Sequence, residues 1–354
     1  MIDRRLLSHY ALDPGAEILI LTSNWPHTDE PRHEDGERHG IFLARQVQTL
    51  RDIGYRIDVA FIRGFVSSAA YARAAAFLIA ASLRRRYRLV HAHGGEAGLI
   101  CSLYWAGPLM ISYCGDDLLG TPGPSGRVGW QSRARRALVR QGARFASATI
   151  TKSQDMQSQL PSRLQACNSV IPNGVDATLF APADRAQARL ALGWARDDPI
   201  VLFAADPRVP RKRFALAQAA CERVRASLPE LELHVAHGAP PTLMPTLMNA
   251  ADCLLMTSSV EGSPNVVKEA LMCNLPVVAT PAGDVRELLR DVAPSFVVGG
   301  CMDNIADAVL RCVEPARRSN GRARSGNLAG EVIAQRIAQL YERLLTGPRL
   351  ACAA

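Results

Sequence analysis

The sequence lacks a long apolar run. Its longest membrane-like run, residues 74–83, has about half of the ~20 residues that a spanning helix requires. The first 15 residues mix charged and apolar side chains and contain no apolar core of a signal peptide. We therefore expect a cytoplasmic protein, with a peripheral position at the cytoplasmic face of a membrane as the alternative.

Paired cysteine motifs are also missing. The nine cysteines are scattered, and none of them stands in Cys-x-x-Cys spacing. An odd number of isolated cysteines is typical of free thiols in a reducing compartment, rather than of a disulfide framework or a zinc site. We expect free thiols that mostly fill the core.

Lysine and aromatic residues are scarce, although the net charge is +8. Three of the 41 basic residues are lysines (Lys152, Lys212 and Lys268), and 6% of all residues are aromatic. A positive chain favours anionic partners. Its basic clusters are not interleaved with the aromatic side chains on which single-stranded nucleic acids stack. We therefore expect no nucleic-acid partner, and a basic membrane- or nucleic-acid-binding protein stays a weaker alternative.

What the sequence does contain is an alternation of apolar strands and amphipathic helices. At 354 residues it has room for two domains. The alternation predicts doubly wound α/β domains, and the missing Gly-x-Gly-x-x-Gly after the first strand disfavours a dinucleotide-binding redox enzyme. A polar segment rich in Gly and Arg, 317–327, is a predicted linker. Strands are expected at residues 17–23, 56–61, 89–93, 109–114, 148–153, 200–204, 231–236, 253–256 and 275–279.

A predicted helix at residues 71–88 has an apolar body and a basic end. In one interpretation it packs on the core, and its terminal arginines suit the helix dipole. In the other it lies on a membrane surface. We favour the first, because a sheet needs an apolar cover.

The most informative stretch is EGSPNVVKE at residues 261–269, between a buried strand and a short helix. Ser263 is the predicted N-cap and Pro264 the predicted first helical residue. The N–H groups of the first turn would then favour an anion in the loop. Parallel α/β sheets bind ligands beyond the carboxyl ends of their strands, where this loop would lie.

Two glutamates frame that stretch. Glu269 lies one turn after Asn265 on the same helix face, and its carboxylate can accept two hydrogen bonds from a vicinal diol. Glu261, in the loop, would face whatever is attached beyond the phosphate. A diol, a diphosphate and a hydroxylated group in one row describe a nucleotide-sugar.

The run EGSPNVVKEAL, followed by PVVAT, resembles the EX7E motif of retaining glycosyltransferases of family 4 (glycosyl transferases group 1). The resemblance covers roughly residues 17–345. It implies an α/β GT-B fold, in which two Rossmann-like doubly wound domains face each other across a cleft and the last helix crosses back to the first domain. We place the acceptor-binding domain at 1–176 with the returning helix 331–346, and the nucleotide-sugar-binding domain at 177–330.

The resemblance also implies donor-binding and catalytic roles. Arg208 and Lys212 match the spacing of the family's diphosphate-binding pair, and the strand end LVHAH matches its HxHG element. Arg211 and Arg213 are expected to be surface charges. The expected catalytic residues are His93, Arg208, Lys212 and Glu261. The expected donor-binding residues are Gly40 (or Gly36), Arg208, Lys212, Glu261, Gly262, Ser263, Pro264, Asn265, Val266 and Glu269.

The first domain would supply the acceptor contacts. Asp116 and Asp117 stand in a turn that resembles the family's GDD turn, and they either hold acceptor hydroxyls or cap the next element. IPNGVD, at residues 171–176, matches a family signature that precedes the inter-domain hinge. The Asp-x-Asp signature of metal-dependent glycosyltransferases is missing, so we expect no metal site and no cofactor.

The implied reaction is a retaining, metal-independent transfer of a sugar from a nucleoside-diphosphate sugar, with UDP favoured, to an acceptor hydroxyl. The enzyme would be a glycosyltransferase of the hexosyltransferase type in polysaccharide, glycolipid or natural-product synthesis. Its acceptor would be a saccharide, a lipid-linked group or a small molecule, and it would contact an anionic membrane peripherally. The alternative within the same fold is a nucleotide-sugar epimerase or a phosphorylase.

Overall fold

The computed structural model describes residues 7–10, 13, 15–26, 40–64, 67–120 and 129–346. Gly36 and residues 121–128 lie outside these ranges. The chain divides into two compact α/β units: the first takes its described residues from the chain up to Gly174 and from Glu331 onwards, and the second spans Val175–Gly330. Among the described residues, no helix is both long enough and apolar enough to cross a bilayer.

The first unit contains a seven-stranded sheet in the order β1-β3-β2-β4-β5-β6-β7. β1 pairs antiparallel with β3, and the other pairs are parallel. Its edge strand β1 carries no alternating apolar pattern, and the sequence did not predict it. The strands are β1 (Leu7–Tyr10), β2 (Ile18–Thr22), β3 (Ile57–Ile62), β4 (Leu89–His93), β5 (Leu109–Ser112), β6 (Ala148–Thr151) and β7 (Asn168–Val170).

Helices cover both faces of this sheet. On one face, Leu78, Cys101 and Val139 join the core cluster, so the helix predicted at 71–88 is a core-packed helix. On the other face, the last helix buries Ile337 and Tyr341, one turn apart, against the strands. The helices are α1 (Ile41–Asp52), α2 (Ala69–Leu83), α3 (Gly95–Tyr104), α4 (Asp116–Leu119), α5 (Trp130–Gly142), α6 (Gln154–Ser158), α7 (Ser162–Gln165) and α15 (Gly330–Thr346).

The second unit contains a five-stranded parallel sheet in the order β12-β11-β10-β8-β9. Its central strands are apolar on both faces, as expected for a parallel sheet with helices on each side. The strands are β8 (Ile200–Phe203), β9 (Glu232–Val235), β10 (Cys253–Met256), β11 (Val277–Ala279) and β12 (Phe296–Val297). The helices are α8 (Arg185–Leu192), α9 (Phe214–Arg225), α10 (Met244–Ala250), α11 (Asn265–Met272), α12 (Val285–Leu288), α13 (Met302–Val313) and α14 (Gly321–Arg324).

The segment 317–327 is not a linker. It contains α14, and the Arg322 guanidinium donates hydrogen bonds to the carbonyls of Phe180, Ala177 and Met272 at 2.8–3.2 Å. These contacts tie the segment into the second unit. Composition suggested a linker because arginine is common throughout this chain, whether or not it faces solvent.

One cysteine departs from the expectation of free thiols. Cys101, Cys221, Cys253 and Cys312 are free and buried, as expected for core fillers, but Cys167 is disulfide-bonded. The prediction is therefore wrong at Cys167.

Candidate functional site

The loop before α11 differs from the prediction at its cap. α11 begins at Asn265, and Pro264 takes the N-cap position without a side-chain cap. Ser263 is therefore not the N-cap, because its hydroxyl donates a 2.7 Å hydrogen bond to a carboxylate oxygen of Asp284. The side chain that the sequence assigned to the helix end instead links this loop to the turn after β11.

That turn lies directly against the loop. Gly283 has φ +62°, and a Cβ there would lie 2.6 Å from the carbonyl oxygen of Gly262. Only glycine fits this approach without strain. Burial raises the pKa of the neighbouring Asp284 carboxyl to about 6, although the charge of Lys268 and the Ser263 hydroxyl act in the opposite direction.

Glu261 is held by two cations. Lys212 Nζ lies 2.6 Å and Arg211 Nη1 2.9 Å from the same carboxylate oxygen. Burial disfavours the charged carboxylate, but the combined charges of Lys212 and Arg211 outweigh burial and lower the pKa of Glu261. The loop therefore carries an ionised carboxylate between two cations.

The loop after β8 positions these cations. Residues Pro210–Lys212 form a 3-10 turn, and Thr257 Oγ1 donates a 2.7 Å hydrogen bond to the Lys212 carbonyl. Arg211 is therefore part of the Glu261 cluster and not a surface charge. Arg213 is not a surface charge either, since its Nε donates a 2.6 Å hydrogen bond to the Thr257 carbonyl.

Arg208 does not join that cluster. Its exposed guanidinium contacts Asp206 at 3.1 Å and His237 at 3.3 Å. The structure thus brings Lys212 and Glu261 together and places Arg208 with a different carboxylate. Glu269 lies half-buried on α11, one turn after Asn265.

In the first unit, His93 ends β4 and is fully buried. Its Nε2 lies 3.3 Å from Gln46 Nε2, and the centre of its ring lies 4.1 Å from the centre of the His91 ring, with the two planes tilted by 40°. Burial, with smaller contributions from His91 and Lys152, holds the pKa of His93 well below its usual range. His93 is therefore a neutral imidazole, whereas the sequence allowed either a neutral or a cationic one.

Gly40 lies at the N-terminus of α1 with φ +82°. A Cβ there would lie 2.5 Å from the carbonyl oxygen of Asn24. The backbone at Gly40 thus packs closely on the loop after β2, and no side chain fits between them. Its approach to a donor phosphate stays a prediction.

Asp116 and Asp117 have different surroundings. Asp116 is exposed, whereas Asp117 is buried and accepts hydrogen bonds from the N–H groups of Cys114, Gly115 and Gly95 at 2.9–3.2 Å. Asp117 therefore binds backbone N–H groups of its own turn and of Gly95 at the start of α3, while α4 itself has no side-chain cap, and acceptor binding stays a prediction. Burial raises its pKa in spite of these hydrogen bonds.

Lys152, which sequence analysis gave no role, lies directly after β6 and is 2% exposed. Burial lowers its pKa, and the nearby Cys114 and Asp117 partly oppose that shift. The scarcity of lysine in the sequence was the available signal for this residue.

Solved structures with the same architecture define the class of fold. Sucrose-phosphate synthase from Thermosynechococcus elongatus matches with a TM-score of 0.74 at 18% identity, covering 93% of this chain and 99% of that one. HepE from Anabaena, solved in complex with UDP-glucose, matches with a TM-score of 0.66 at 19% identity, covering 92% and 99%. The chain has the GT-B fold, as the sequence predicted.

Family models and curated relatives identify the family. The model "Glycosyltransferase Family 4" matches residues 5–179 and "Glycosyl transferases group 1" matches residues 217–315. The chain belongs to the family 4 glycosyltransferases.

Among curated relatives, the D-inositol 3-phosphate glycosyltransferase of Mycobacterium avium (strain 104) is 28% identical over 289 residues, which cover 69% of this chain and 66% of that protein. The protein of the same name from Mycobacterium tuberculosis (strain F11) is 27% identical over 288 residues, covering 69% and 58%. The chain thus spans less than two thirds of the length of these relatives.

Proposed function

We propose that this protein transfers a sugar, with retention and without a metal ion, from a nucleoside-diphosphate sugar to an acceptor hydroxyl. The observation that carries the proposal is the cluster of Glu261, Lys212 and Arg211 beside the N-terminus of α11. It combines fixed cations for a diphosphate with an ionised carboxylate for sugar hydroxyls. Family membership supports the reaction class, and the complex of HepE with UDP-glucose supports UDP as the nucleotide of the donor.

The proposed roles of the site residues follow from their charges and from their numbers of hydrogen-bond donors and acceptors. Lys212 carries three N–H donors, and Glu261 uses one of them, so two remain for phosphate oxygens. Arg208 adds a further cation, and its guanidinium would leave Asp206 and bind the diphosphate instead. The first-turn N–H groups of α11 would face the same anion, and Glu269 would accept hydrogen bonds from the ribose diol.

The chemical step needs charge stabilisation more than a base. The bond between the anomeric carbon and the diphosphate oxygen breaks, and the acceptor oxygen bonds to that carbon from the same face. The acceptor proton passes to the departing diphosphate oxygen. Lys212 stabilises the charge that develops there.

Peripheral membrane contact is part of the proposal. Trp130 and Leu138 on α5 are 72% and 58% exposed, and the same helix carries the exposed Arg133. Exposed apolar side chains beside cations suit an anionic bilayer surface. Sedimentation with anionic and with neutral vesicles tests this: pelleting with anionic vesicles alone is expected, and equal recovery in both supernatants would contradict it.

The deciding experiment is calorimetric titration with UDP, GDP, ADP and dTDP. We expect one diphosphate to bind, and Glu269→Ala to weaken that binding at least about tenfold, a cost of about 1.4 kcal/mol. Glu222→Ala, an exposed helical glutamate of the same unit, is the matched control. Unchanged binding by Glu269→Ala, or no binding by the wild type, would refute the donor site.

Incubation of the sugar nucleotide without any acceptor separates this function from the alternative within the fold. A transferase leaves the donor sugar unchanged apart from slow hydrolysis. Conversion of the donor to its epimer would show an epimerase.

A further inference from the structure

Polar side chains lie at or just beyond the carboxyl ends of neighbouring strands of the first sheet. Side chains alternate along a strand, so residues two apart share a face. Leu89, Met110 and Ile150 belong to the same apolar cluster. His93 lies four residues after Leu89, Cys114 lies four residues after Met110, and Lys152 lies two residues after Ile150. The register aligns His93 with Ser112 and Ser112 with Ile150, so His93 and the two residues that follow β5 and β6 lie at the carboxyl edge of three neighbouring strands.

The hydrogen-bond ladder continues as far as this edge. The N–H of Tyr113 donates to the Ile150 carbonyl at 2.8 Å, and the N–H of Ile171 donates to the Thr151 carbonyl at 2.9 Å. Backbone pairing between strands therefore continues up to Thr151, the residue directly before Lys152.

The Lys152 side chain is almost completely buried. Across the described ranges of the chain it forms neither an ion pair nor a hydrogen bond. The carboxylate whose charge acts on Lys152 is that of Asp117. Its oxygens accept hydrogen bonds from backbone N–H groups and not from the ammonium. A buried charge without a partner is costly, and proteins normally pair it. An anion from a ligand would provide the missing partner.

His93 offers a second donor beside this cation. Its Nε2 faces the Gln46 amide nitrogen, a donor, so the ring proton of the neutral tautomer is assigned to Nδ1. Nδ1 is buried and has no hydrogen-bond partner. Lys152 lies close enough for its charge to act on His93. A buried cation and an unused N–H therefore lie at the same edge.

We propose that Lys152 and His93 Nδ1 form an anion-binding subsite, and that the acceptor carries a phosphate or carboxylate group which this subsite recognises. The inference rests on the glycosyltransferase function proposed above and narrows its acceptor class. The donor diphosphate is the other source of such an anion. The second unit, however, has its own cations for it, Lys212 and Arg208, which leaves Lys152 for the acceptor.

The test is a titration of the full-length protein with inorganic phosphate in saturating UDP, so that the diphosphate site is already occupied. We expect the wild type to bind phosphate and Lys152→Met to bind it at least tenfold more weakly, with the same affinity for UDP. Lys212→Met is the matched control: it should lose UDP affinity. Equal phosphate binding by wild type and Lys152→Met, or no binding by either, would overturn the proposal.

Two further results distinguish an acceptor anion from the donor diphosphate and control for misfolding of the variant. Loss of UDP affinity in Lys152→Met at an unchanged melting temperature would assign the cation to the donor and refute the acceptor role. In the wild type, phosphate should shift the NMR resonance of His93 Nδ1, and an unmoved resonance would contradict the subsite without any variant. If the wild type binds no nucleotide, the proposed function fails, whereas the phosphate titration without UDP still decides the subsite.

Discussion

Arg189 and Lys152, one from each unit, are both almost completely buried and have opposite surroundings. Arg189 in the second unit, 1% exposed, donates to Asp252 at 2.7 Å and to the carbonyls of Ala250, Ala195, Arg196 and Asp198. Lys152 in the first unit, 2% exposed, has no such partner among the described residues. A guanidinium whose donors are used within the fold stabilises that fold. An ammonium with unused donors is available to a ligand.

Lys212 lies between these two cases. It pairs with Glu261, yet it is partly exposed and has donors to spare. Such a pair keeps both groups charged and fixed without using all their hydrogen-bonding capacity. The three cations thus range from structural to ligand-binding according to how many of their donors the protein itself uses.

The largest expected effect comes from breaking the buried pair of Arg189 and Asp252. Asp252→Ala should cost about 3–5 kcal/mol of unfolding free energy, because it leaves the buried Arg189 without its carboxylate partner. Denaturant unfolding measures this. Lys152→Met is the contrasting control and should not destabilise the protein, since it removes a buried charge that has no partner. A loss under about 1 kcal/mol for Asp252→Ala would show that the pairing matters little.

The next effect concerns the pair at the donor site. Lys212→Ala should lower kcat about 10²–10³-fold, because a fixed cation at the departing diphosphate is removed. Asp116→Ala, which changes an exposed carboxylate, should change kcat by less than about threefold. Steady-state kinetics with the donor identified by calorimetry provides the measurement. Similar losses of kcat in both variants would contradict the expectation that Lys212 contributes more to turnover than Asp116.

The smallest effect is a pH dependence of the first unit. Burial holds the pKa values of His91 and His93 well below 6.5 in the folded state. In the unfolded chain both take up a proton near pH 6.5, so their contribution to stability is complete above pH 6.5 and is lost as the pH falls below it. Each contributes up to ~1.4 kcal/mol per pH unit.

Calorimetric unfolding between pH 5 and 7 checks this, with stability expected to rise with pH. The slope should be smaller in Lys152→Met, because the Lys152 charge is one cause of both low pKa values. A flat profile would show that the two histidines have the same pKa in the folded and the unfolded protein.

The sequence predicted regular elements better than side-chain partners. β4 and β10 lie at the predicted residues, since their apolar runs are buried on both faces whatever the topology. Ser263 was assigned to a helix cap because that role depends on local sequence. Its hydroxyl instead donates a hydrogen bond to Asp284, 21 residues later. Arg211 resembled any other surface arginine until the loop after β8 brought it to Glu261.

By itself, the sequence determined the order of strands and helices, the family motifs and the glycosyltransferase class, because these depend on residue type and on spacing along the chain. The tertiary structure decided which charges are compensated: Arg189 by Asp252, Lys212 by Glu261, and Lys152 by no described residue. The physical reason is that burial and Coulomb interaction depend on distances across the fold. A residue's neighbours in the sequence do not fix those distances.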